Sequence, residues 1–129
     1  MFHAILTAAA DQFVGVSKRT TSRYALVYRS VDHGRLRTVC EEVNRPIPSS
    51  KYARHVPSNG FGGDIVAFAA STIELQQKRN AADYDPLIRV KSSDATTAIA
   101  FARGAVRRFN AADPGQRETF LSLLLFPPR

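Results

Sequence analysis

A chain of 129 residues holds one domain and is too short for two. Hydrophobic residues make up 44% and charged residues 22%, a balance that excludes a disordered chain, and the single cysteine, Cys40, excludes an intrachain disulfide or a cysteine-based zinc cluster. Eighteen Lys and Arg against eleven Asp and Glu give +7, concentrated between Lys18 and Arg37, which suits phosphate oxygens or simply keeps a solvated surface charged.

Helical spacing dominates from the start. Phe2, Ile5, Leu6, Ala9 and Phe13 form the apolar face of a first helix that Gly15 stops. No capping residue precedes it, so the chain reads as beginning in mid-helix. Met1–Ala10 lacks the basic flank of a secretory signal, since Asp11 comes before the first cation, Lys18. Apolar runs such as Leu123–Phe126 are too short to span a bilayer, so a cytoplasmic protein without a membrane partner is expected.

Thr20–Ser22 caps a second helix with Tyr24, Val27, Tyr28 and Val31 along one side. Gly34 breaks or kinks it, and Leu36, Val39, Cys40 and Val43 continue the stripe. Residues 44–63, with three prolines and three glycines, read as a long loop. A third helix starts at Asp64 and runs to about Tyr84, where Asp85-Pro86 ends it. Leu87–Lys91 is the one β-prone stretch, and a lone strand is not stable. Ser93 or Asp94 caps a fourth helix, with Ala95, Ala98, Ile99, Ala102, Ala105, Val106 and Phe109 inward. Asp113-Pro114 opens a fifth, burying Phe120, Leu121, Leu124 and Leu125. The expected fold is all-α, an up-and-down bundle of four or five helices in a single domain.

The third helix breaks its own pattern. At 100° per residue, Gln76, Arg79, Asn80 and Asp83 fall on the side of Ile65, Phe68 and Thr72. Burying these groups costs several kcal/mol unless they are paired and hydrogen-bonded. Arg79 and Asp83, at i and i+4, can pair with each other. Either the helix end protrudes and these groups are wet, or they line a cleft or a dimer seam.

At this stretch the chain resembles a known family. Arg79-Asn80-Ala81-Ala82-Asp83-Tyr84-Asp85-Pro86 is similar to the Arg…Ala-Asp-Tyr-Asp signature of bacterial proteins of the HEPN type, the higher eukaryotes and prokaryotes nucleotide-binding domain. Met1-Phe2-His3-Ala4 resembles the end of an early-helix stretch of that family, and Val27–Gly34 resembles a motif of one bacterial subgroup. The resemblance implies an up-and-down helical bundle that commonly dimerises, often beside a nucleotidyltransferase. It also implies metal-free RNA cleavage by an arginine and a histidine on one helix, in toxin–antitoxin or defence modules. Arg79 matches the arginine, but Tyr84, Asp85 and Pro86 occupy the permitted histidine positions. Tyrosine titrates near pH 10 and is a poor base at neutral pH. The expectation is therefore RNA or nucleotide binding without full ribonuclease activity, or a non-catalytic dimeric interaction module partnering a nucleotidyltransferase.

On this reading Arg79 contacts phosphate, Asn80 hydrogen-bonds beside it, Asp83 orients it and Tyr84 stacks or donates. Arg29 and His33 join the binding surface, with an Asp32–His33–Arg79 cluster set against simple helix capping by Asp32. The resemblance also places Met1 inside the family's first helix, which implies a missing segment, exposed apolar surface and hence a homodimer. His3, His33 and His55 show no metal-ligand spacing, so neither metal nor cofactor is expected. Cys40 sits on the apolar stripe as a small core residue. Gly60–Gly63 lacks the lysine and preceding strand of a phosphate loop and reads as a hinge. Arg103, Arg107 and Arg108 share the outer side of the fourth helix.

Overall fold

The computed structural model describes the backbone of residues 1–84 and 92–129, and the side chains of residues 1–80 and 95–129. Among the described residues every regular element is helical. They are α1 (Phe2–Phe13), α2 (Ser22–Arg29), α3 (His33–Asn44), α4 (Ser50–Ala53), α5 (Gly62–Tyr84), α6 (Ser92–Ala111) and α7 (Pro114–Leu125), with one 3₁₀ turn at Val16–Lys18. The all-α expectation holds, but four or five helices become seven. Leu87–Lys91 lies outside the described residues.

Two local causes account for the larger number. The second predicted helix is two helices, because its break falls at Ser30–Asp32 and not at Gly34, which lies inside α3. The Asp32 side chain accepts from the Arg35 backbone N–H at 2.7 Å and starts α3 afresh. The predicted loop holds α4, whose N-cap Ser49 is fixed by a contact seven residues back. Its N–H and hydroxyl both donate to the Glu42 carboxylate, at 3.0 and 3.1 Å. That anchor sets Tyr52 into the core.

α1 packs on α2 and α7, α3 on α5 and α7, and α5 on α6. One contiguous core joins them. Its centre is an aromatic triad: Phe68 of α5 lies 5.0 Å from Phe109 of α6 and 5.7 Å, edge to face, from Phe120 of α7. Ile65, Phe68, Ala69 and Thr72 of α5 are fully buried around it. The Thr72 hydroxyl donates to the Phe68 carbonyl one turn back, at 2.9 Å, so its burial leaves no orphan donor. Cys40 is fully buried, and burial pushes its thiol up to about 12. It is a core residue.

α6 differs from the stripe expected of it. Ala105 and Phe109 are buried, whereas Ala95 is exposed and Ile99 is 55% exposed. α6 packs chiefly on α5, and residues 95–100 of its N-terminal half are exposed or only partly buried. In α7, Leu123 is buried and Leu125 only partly so. No helix among the described residues is long and apolar enough to cross a membrane.

Candidate functional site

α5 is 23 residues long, about 35 Å at 1.5 Å per residue, and it outruns its partners. The bundle ends level with Gln76, whose side-chain amide donates to the His33 backbone carbonyl at 3.3 Å. His33 begins α3, and its ring stacks on Phe2 at the start of α1, with centroids 3.8 Å apart. Thr72, one turn before Gln76, meets the Met1 sulfur at 3.7 Å. The starts of α1 and α3 therefore meet α5 at one level, and beyond it α5 continues beside α6.

This explains why the stripe turns polar. Gln76 is half-buried, while Gln77, Lys78, Arg79 and Asn80 are exposed in the single chain. The direction from α5 that faces the core at Phe68 faces past the bundle at Arg79. Among the described residues, Arg79 and Asn80 sit on an exposed stretch of α5 and not in the packed core. Asp83 and Tyr84 complete α5, but their side chains lie outside the described residues, as do Asp85 and Pro86 altogether.

The remaining expected site residues are dispersed. Asp32 caps α3, so helix capping, and not a cluster with His33 and Arg79, is what its carboxylate is seen to do. His33 approaches α5 through its carbonyl to Gln76, and its imidazole is engaged with Phe2. Arg29 is exposed in the last turn of α2, where a cation complements the helix dipole. His3 is exposed and shares a hydrogen bond with the Tyr28 hydroxyl. Among the described residues no three His, Cys, Asp or Glu side chains converge as a metal cluster would require.

The arm made by the outer halves of α5 and α6 carries both charge and apolar surface. Lys78 pairs with Glu74 at 3.2 Å and lies 5.8 Å over the Phe101 ring. Phe101 and Ile99 are exposed. Farther along α6, toward the bundle, Arg103 and Arg107 are exposed and Arg108 pairs with Asp64 at the start of α5, at 2.8 Å.

A polar cluster not anticipated from the sequence lies at the other end of α1. Arg19 donates to both oxygens of Asp11, at 3.0 and 2.6 Å, and the Tyr24 hydroxyl donates to the same carboxylate at 2.9 Å. The Arg19 guanidinium holds the Asp11 carboxyl below its usual range, and Tyr24 is raised, first by burial and then by the carboxylate. Gly15, at φ 111°, supplies the left-handed turn that brings the two helices back together. The available signal was a carboxylate in the last turn of a helix, where the dipole disfavours it unless a cation is near.

No protein-family model, no curated protein and no solved structure matches the chain.

Proposed function

We propose that the chain is a HEPN-like helical domain that binds RNA along the α5–α6 arm without cleaving it. The observation that carries this reading is the exposure of Arg79 and Asn80 in the last turns of α5, with Arg103 and Arg107 exposed farther along α6, back toward the bundle. Arginine forks on a protruding two-helix arm reach a phosphate backbone without burying charge in the core. Tyr84 stands where the resembled motif has its histidine, so the chain lacks the general base at that position. No cofactor enters the proposal, and toxin–antitoxin or defence modules are its setting by resemblance.

The exposed Ile99 and Phe101 on the same arm favour a homodimer formed through it, which would bring two copies of Arg79 to one groove. The test is fluorescence anisotropy with a labelled single-stranded RNA over a salt series, alongside a denaturing gel. Arg79→Ala is expected to weaken binding across sequences and to lower the salt slope by about one. The gel is expected to show intact RNA. Unchanged affinity and slope in Arg79→Ala would remove the arm as the binding surface. Cleavage lost in Arg79→Ala would instead make the protein an endoribonuclease.

A further inference from the structure

The end of the bundle farthest from Gln76 carries a second surface. Phe13, Val14, Lys18, Arg23, Leu26 and Val27 line a groove of about 310 Å³ between the end of α1 and the start of α2. It is apolar where it should be covered: Phe13 is 59% and Leu26 71% exposed. Phe126, 57% exposed beyond α7, extends the patch by packing on Phe13 with centroids 5.4 Å apart. Exposed apolar side chains gathered in one concave place mark an interaction site more often than scattered ones do.

The charges select the occupant. Lys18 and Arg23 line the groove, no carboxylate does, and neither cation has an ion-pair partner among the described residues. Asp11, the one acid on α1, is committed to Arg19 and Tyr24. That same cluster clamps the end of α1 to the start of α2 and fixes both walls of the groove before anything enters it.

We propose that this groove docks an acidic, amphipathic peptide segment of a partner protein, one bulky apolar side chain seated between Phe13 and Leu26 and its flanking carboxylates on Lys18 and Arg23. The groove has room for an aromatic anchor with a neighbouring aliphatic group. Concavity and aliphatic walls fit a peptide side chain better than a flat membrane face. Two cations are fewer than the track along which a nucleic-acid backbone is held.

The probe is a fluorescein-labelled helical peptide of Glu and Ala carrying Phe and Leu one turn apart, titrated with the full chain by anisotropy. Saturable binding is expected. Leu26→Asp and Arg23→Glu are each expected to weaken it by about tenfold or more, the size of a hot-spot loss. Both side chains are exposed, so circular dichroism and melting should match the parent. Lys18→Glu combined with Arg23→Glu should turn preference toward the same peptide with Lys in place of Glu. RNA affinity at the α5–α6 arm should not change in any of these variants, which separates this proposal from the arm's own function. Binding unaltered by Leu26→Asp, or equal binding of a peptide with Ser for Phe and Leu, would overturn it. So would self-association of the chain that Leu26→Asp abolishes, or poly-uridine or phosphatidylserine vesicles binding here in place of the peptide.

Discussion

The two halves of α5 share one helix and one facing direction yet live in different solvents. Around Phe68 the face is buried against Phe109 of α6 and Phe120 of α7 and is dry; at Arg79 and Asn80, among the described residues, it is exposed. Periodicity reports which side chains share a face, but only the lengths of neighbouring helices decide whether that face is covered. A polar stripe at a helix end is thus evidence of protrusion at least as much as of a buried site.

The sharpest way to break this contrast is to truncate a side chain in each half. Phe68→Ala removes the ring joining Phe109 to Phe120 and is expected to cost about 3–5 kcal/mol in chemical denaturation. Cys40 probes the same dry half. With its thiol pushed up to about 12 by burial, alkylation at neutral pH should proceed only as fast as the protein unfolds. Rapid alkylation of native protein would show that the core opens there.

The clamp at the far end of α1 should give an intermediate effect. Asp11 is held below its unfolded value of 3.8, so it stabilises the fold above that pH, and the contribution is lost as pH falls through the lower folded value. Asp11→Asn is expected to cost about 1–2 kcal/mol at neutral pH, because charge-assisted hydrogen bonds from Arg19 and Tyr24 are weakened. It should also flatten the acid limb of the stability curve below pH 4. An unchanged acid limb would mean the clamp is not formed in solution. The smallest effect belongs to the wet half: Arg79→Ala should alter stability by less than about 1 kcal/mol, since an exposed group loses little on truncation. A loss comparable to that at Phe68 would place Arg79 in a buried seam between subunits.

How far the fold could be read in advance follows from the range of the forces involved. Local signals were legible. The helical periods of α1, α5 and α7 were visible, as was the Asp113 cap, which accepts from Gly115 and Gln116 ahead of Phe120, Leu121 and Leu124. The start of α3 was misplaced because Gly34 looks like a breaker, while the Asp32 cap two residues earlier fixes the boundary. α4 was missed because its anchor, Ser49 to Glu42, belongs to another helix. Ile99 was assigned to the core because its spacing fits, although it is 55% exposed on a helix that packs chiefly on α5. At the candidate site, Arg79 and Asn80 were identified as a break in pattern, and their exposure required knowing where α1 and α3 begin. The groove at Phe13 and Leu26 was not legible, since Phe13 falls in line with the apolar face of α1 yet is 59% exposed, and Leu26 falls outside the stripe of Tyr24, Val27, Tyr28 and Val31.

The Asp11–Arg19–Tyr24 clamp has a kinetic corollary. Its partners stand only 8 and 13 residues apart along the chain. Closing so short a span forfeits little chain freedom, because that entropy grows only logarithmically with loop length. The α1–α2 hairpin is therefore the segment best placed to organise first, giving later, more distant pairings such as Thr72 with Met1 a ready template.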